Sequence, residues 1–269
     1  MIRDITIGQY YPVESLLHRL DPRAKLLGTL LFIISLFTFN SFSGYLVALV
    51  FLAVIIKLSK VPFGYIVKGL KGLLFIMLFA VAFNVFFSTG EHVLYEYGIL
   101  TITVEGLRNA AFLAIRLILL VIGSSLMTFT TTPTQLTDGI ETLLNPLNKV
   151  KVPVHEIAMM MSIALRFIPI LMEELDKIMK AQTARGADFE SGKLMQRIKA
   201  LVPILVPLFV SAFRRANDLA MAMEARCYRG GEGRTKMKPL RYKRLDFYAY
   251  CSLIIYLLLI IIVGRAFYF

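Results

Sequence analysis

The chain has 269 residues, of which 57% are hydrophobic, with a mean hydropathy of +0.69 and a formal charge of +12. That apolar content, gathered into long uninterrupted runs, excludes an ordinary soluble domain and places the chain in a bilayer. The positive balance reads as membrane topology plus a surface for anionic lipid or an acidic partner, and no RNA- or DNA-binding module motif argues for nucleic acid.

Residues 1–20 are polar, contain Asp4 and Glu14, and lack the compact apolar core of a secretory signal. The first apolar region, Leu26 to Leu58, is too long for one span and is broken by Asn40-Ser41-Phe42-Ser43-Gly44, so it predicts two helices joined by a tight turn. Asp21 is placed to cap the first of them and Pro22 to occupy its first position. A third span is expected at about Leu70–Phe87, a fourth at about Asn109–Thr128 and a fifth at Phe247–Val263.

Lysine and arginine set the expected orientation. Arg19, Arg23 and Lys25 precede the first span, and Lys57, Lys60, Lys68 and Lys71 surround the second connection, which puts both on the cytoplasmic side. The segment from Ser88 to Gly106 has neither residue type but carries Glu91, Glu96 and Glu105, and should lie outside. Residues 130–244 then fall inside with nineteen of the thirty basic residues, and the C-terminus falls outside. The run Lys236, Lys238, Arg241, Lys243 and Arg244 is a positive-inside anchor for the last span.

The reading is thus an all-α membrane protein of about five spans, divided into a membrane domain (1–130), a cytoplasmic helical domain (131–244) and a final transmembrane helix (245–269). Within the cytoplasmic insert Thr134–Leu147 is amphipathic, and two longer segments, Pro153–Ala184 and Lys193–Arg226, run from an apolar first half to a charged second half. Pro169 in one, and Pro203 and Pro207 in the other, predict bends. The two segments repeat each other loosely, and each closes on a similar tripeptide, Ala184-Arg185-Gly186 and Ala225-Arg226-Cys227.

These paired tripeptides, the stretch His18-Arg19-Leu20-Asp21-Pro22-Arg23-Ala24-Lys25-Leu26, and Tyr228-Arg229-Gly230-Gly231 with Gly233-Arg234-Thr235 resemble the transmembrane T components of energy-coupling factor (ECF) transporters. The resemblance covers nearly the whole chain. It implies an importer of vitamins or metals driven by two ABC-type ATPase subunits, with a separate membrane S component binding the substrate. It also implies that Arg185 and Arg226 end coupling helices and sit in grooves on the ATPases. Guanidinium suits that role, being a rigid fork of donors that stays charged when buried. Gly186 is able to end its helix in a left-handed conformation, whereas Cys227 departs from the glycine usual in the family and has less backbone freedom.

Taken singly, each arginine reads equally well as a solvated helix-end residue favoured by the dipole; the pair, with the other signatures, decides for coupling. Arg116, inside the fourth span, is expected to snorkel or to pair with a polar neighbour such as Asn84. Met159, Met160, Met161, Met221 and Met223 read either as adaptable binding surface or as core. His18, His92 and His155 show no metal-ligand spacing, Cys227 and Cys251 suggest no disulfide, and no cofactor is expected. Ser191-Gly192-Lys193 fails as a phosphate loop in both spacing and its following Leu194, so the chain itself should not hydrolyse ATP. A self-contained carrier or channel is the alternative, disfavoured because the expected spans hold no Asp or Glu, and no polar cluster supports a membrane enzyme. The transported substrate and the identity of the two ATPases are not written in this sequence.

Overall fold

Asp21 begins the first helix as its place before Pro22 dictates: its carboxylate accepts the Arg23 N–H at 2.9 Å, while Pro22 has no N–H to satisfy. In the computed structural model, which describes residues 10–87, 92–97, 100–187, 194–231, 235, 237 and 239–266, α1 (Pro22–Thr38) and α2 (Phe42–Ser59) follow, joined by a short turn, with Ser41 capping α2. Then come α3 (Phe63–Lys71), α4 (Leu74–Phe87), a short antiparallel hairpin of β1 (Val93–Tyr97) and β2 (Leu100–Thr103), and α5 (Val104–Thr130). Helices α6 (Pro133–Leu144), α7 (Val154–Ala184), α8 (Leu194–Ala225) and α9 (Arg244–Ala266) complete the chain.

The architecture is that of an all-α membrane protein. Four helices, α2, α5, α7 and α9, are long and apolar enough to cross a membrane, and the pair α3 and α4 makes a fifth if taken together. The third expected span therefore differs from the sequence reading. The helix breaks at Gly72-Leu73 and its halves meet at 63°. Lys71 and Gly72 sit at the break, where glycine's backbone freedom weakens helix continuity. Helix α1, at 17 residues, spans about 25 Å, the lower limit for a tilted or thinly covered span. Helix α7 qualifies through its apolar first half, and the prolines of α7 and α8 lie inside continuous helices.

The chain divides into two compact units, residues 1–143 with 240–269, and residues 144–239. In the first, α1, α2, α5 and α9 bury a cluster that includes Phe32, Leu36, Tyr45, Leu52, Leu126 and Tyr256. Lipid is as apolar as leucine, so close packing of small residues and satisfied polar groups must hold such a bundle together. Gly123 admits Phe32, since a Cβ there would lie 2.7 Å from the ring. Ser35 bonds both the Phe32 carbonyl at 2.7 Å and the Tyr256 hydroxyl at 2.9 Å, and Tyr256 stacks on Phe51 with centroids 4.1 Å apart. The outward faces, among them Leu30, Ile34, Leu46, Val50, Ile255 and Leu258, are apolar and exposed, as lipid contact requires.

Arg116 is fixed within this unit, though not by Asn84. Its guanidinium donates to the Tyr45 hydroxyl at 3.1 Å, to the Phe39 carbonyl at 3.5 Å and to Asn40 Oδ1, and lies 5.3 Å from the Phe37 ring centroid. The charge thus staples the α1–α2 turn to α5.

Candidate functional site

Both tripeptides end their helices in the same way. At the first, Gly186 N–H donates to the Thr183 carbonyl at 2.9 Å and Ala187 N–H to Gln182 at 3.0 Å. At the second, Cys227 N–H donates to Glu224 at 2.8 Å and Tyr228 N–H to Met223 at 3.0 Å. This crossed pair of bonds is a Schellman motif, which satisfies carbonyls that the helix end leaves without partners. It requires a left-handed residue at its turn, filled by Gly186 at φ +86° and by Cys227 at φ +55°. The sequence departure at Cys227 leaves the cap geometry intact, at the steric cost that a Cβ brings to that conformation.

Arg185 and Arg226 hold equivalent places, one residue before the left-handed position, and both are exposed. Among the described residues neither guanidinium makes a side-chain hydrogen bond or ion pair.

The two helices run antiparallel. Gln182 pairs with Pro203, Glu174 with Arg215, and His155 lies against Gly231. The two arginine ends therefore point away from each other, separated by about 40 Å at 1.5 Å per residue. Gln182 Nε2 donates to the Pro203 carbonyl at 3.4 Å; that carbonyl lacks a helical partner because Pro207, four residues on, has no N–H. Glu174 and Arg215 meet at 3.0 Å, half-exposed, for about 0.2–1 kcal/mol. A shallow apolar groove between the helices is lined by Ile163, Phe167, Leu219 and Met223. The methionines divide accordingly: Met223 packs, while Met160, Met161 and Met221 are exposed.

The glycines after the second tripeptide have separate tasks. Gly230 takes φ +89°, and Gly231 passes so close to His155 that a Cβ would sit 2.5 Å from its Cδ2. No local sequence pattern signals the His155 contact, which joins residues 76 positions apart. Ser191-Gly192-Lys193, Gly233-Arg234, Lys236 and Lys238 lie outside the described residues. Among the described residues no cluster of three His, Cys, Asp or Glu is arranged to hold a metal ion.

Residues 13–237 match the family described as cobalt transport protein. Over 257 residues, 95% of each chain, the sequence is 58% identical to the energy-coupling factor transporter transmembrane protein EcfT of Clostridium kluyveri. It is 57% identical over 246 residues to that of Ruminiclostridium cellulolyticum, covering 91% of this chain and 92% of the relative. With EcfT of Bacillus subtilis the identity is 48% over 255 residues, 95% of this chain and 96% of the relative. The chain belongs to the ECF transporter T-component family.

The N-terminal signature of this T component forms a second polar constellation. His18 is held by the Ser15 hydroxyl at 2.7 Å and the Tyr11 carbonyl at 3.0 Å. Burial lowers its pKa from the usual 6.5, outweighing the hydrogen bonds that would raise it. Asp21 binds the Arg23 guanidinium through both oxygens at 3.0 Å. Burial alone would raise the Asp21 carboxyl; the hydrogen bonds and charge of Arg23, with Lys25, hold it below the ordinary range. The Arg23 guanidinium also covers the Tyr242 ring at 4.1 Å.

Two partners of this signature were not singled out from the sequence. Asp246, 1% exposed, accepts the Asp21 N–H at 2.7 Å with one oxygen and the Lys243 N–H at 2.6 Å with the other. It serves as the third-position acid of α9, reaching back to that helix's cap, and simultaneously meets the cap of α1. Lys25 Nζ donates to the Thr130 carbonyl at 2.7 Å, satisfying an open carbonyl at the C-terminus of α5 where positive charge is favoured.

Proposed function

We propose that this T component is the non-catalytic subunit that links ATP hydrolysis by two ABC-type ATPase subunits to uptake of a vitamin or other micronutrient through a substrate-binding membrane S component. The observation carrying this reading is the pair of matched Schellman ends, each presenting an exposed arginine, at opposite ends of one antiparallel helix pair. Two equivalent cationic tips facing apart suit two similar partners. Ala184 and Ala225 beside the arginines, with Gly186 and Cys227 after them, keep each tip narrow enough to enter a groove.

In operation, closure of the ATPases moves Arg185 and Arg226, and α7 and α8 act as levers. Their exposed apolar residues, including Met160, Val206 and Phe213, offer a surface on which a membrane S component reorients. The chain sits in the cell membrane as a multi-pass protein, with its N-terminus and coupling helices cytoplasmic and its C-terminus outside, as the distribution of basic residues favours.

The test is affinity purification of the tagged chain from its own membranes, wild type beside Arg185→Glu/Arg226→Glu. The expected result is ATPases and small hydrophobic proteins with the wild type, and loss of the ATPases from the double variant. A wild-type chain that purifies alone, or a double variant that transports normally, refutes the proposal and favours an autonomous carrier.

A further inference from the structure

The chain leaves its first unit through α6 and returns through residues 240–246, and both passages are fastened to one turn of α1. On the outgoing side, Lys25 holds the end of α5 through the Thr130 carbonyl. Gly139 of α6 lies so close to the same turn that a Cβ would sit 3.1 Å from Leu26 and 3.2 Å from Pro22. On the returning side, the Asp21 N–H and the Lys243 N–H share the Asp246 carboxylate, and Arg23 covers Tyr242. A buried carboxylate holding two backbone N–H groups resists displacement, because losing either leaves a desolvated charge short of partners.

From this convergence we infer that Asp21–Leu26 is a common anchor for both connections to the coupling unit, and the point at which movement of that unit is passed to the membrane helices. The second half of this statement rests on the proposed coupling function; the first does not. Lys25, Gly139 and Asp246 are positioning residues. With both passages anchored to one helical turn, a displacement that reaches either anchor bears on α1.

Hydrogen–deuterium exchange on the purified full chain in lipid nanodiscs tests the anchor without any partner. The comparison is wild type against Lys25→Met, whose ammonium also acts on Asp21 and Asp246, and Gly139→Leu, which disturbs only the outgoing side and is therefore the deciding variant. Exchange should become about tenfold faster in peptides covering 133–144 and also 240–246, with α2 unchanged. Acceleration confined to 133–144, or none, overturns the inference. Should Lys25→Met loosen α2 as well, Gly139→Leu, which removes no charge, decides.

A second arm uses the complex with its ATPases in liposomes. The same variants should retain the ATPases and hydrolyse ATP within about twofold of wild type while uptake falls about tenfold. Hydrolysis and uptake falling in parallel overturns the transmission role. Shared loosening in a wild-type background that retains no ATPase refutes the proposed function and leaves the anchor standing.

Discussion

Exchanging the two left-handed cap residues tests how the helix ends are built. A side chain at such a position costs about 1–2 kcal/mol through contact between its Cβ and the backbone. Glycine, however, gives up about 0.5–1 kcal/mol more in backbone freedom on folding. Among the described residues nothing lies within 4 Å of a Cβ built at Gly186, so Gly186→Ala meets the backbone penalty alone and should destabilise its cap by about 0.5–1 kcal/mol net. Cys227→Gly should stabilise the other cap by a similar amount. Amide exchange of residues 183–187 and 224–228, resolved by site, reads the difference as roughly two- to fivefold faster opening in the first variant and slower opening in the second. The same direction of change in both variants, or none in either, would refute the assignment of a common cap geometry.

Other perturbations bear on neighbouring features. Gly231→Ala forces a Cβ to within 2.5 Å of the His155 ring, so it should cost about 1–3 kcal/mol and lower the thermal midpoint of the chain; an unchanged midpoint would show that the contact is slack. Arg116→Met leaves the buried Tyr45 hydroxyl without its partner and should cost about 1–3 kcal/mol, measured by unfolding in detergent, with Tyr45→Phe restoring part of the loss in the double variant. His18 has its pKa lowered by burial, so the folded N-terminal turn favours the neutral ring: its contribution is complete above the ordinary 6.5 and is lost as pH falls below it toward the lower folded value. Amide protection of residues 11–20 should therefore fall between pH 7.5 and 5.5, roughly the range around an ordinary histidine, and His18→Gln should abolish that pH dependence.

Local signals carried much of the fold. Asp21-Pro22 marks the start of α1 because capping is decided within three residues, and Ala184 and Ala225 close α7 and α8 where the tripeptides put them. The apolar runs locate the membrane helices for the same reason, since hydropathy is a property of consecutive residues. Contacts between distant segments were less legible. Asp246 meets Asp21 across 225 positions, and Arg116 reaches Asn40 and Tyr45 across 76 and 71. The break at Gly72 is also hidden from hydropathy, because a bent pair of helices averages to the same apolar window as a straight span. The sequence located the arginines at both helix ends; that the ends face apart depends on Gln182–Pro203 and Glu174–Arg215, which only the folded chain brings together.

The carboxylate of Asp246 also bears on the order of assembly. The N–H of Asp21, at the start of the first membrane helix, waits for a partner that the ribosome makes 225 residues later, about 10–45 s at ordinary synthesis rates. Until then the first hairpin holds a cap that is complete on its side-chain face and open on its backbone face. The final helix thus delivers a keystone: its arrival closes the bundle, and a nascent chain halted before it presents an unfinished seam that membrane quality control has the means to detect.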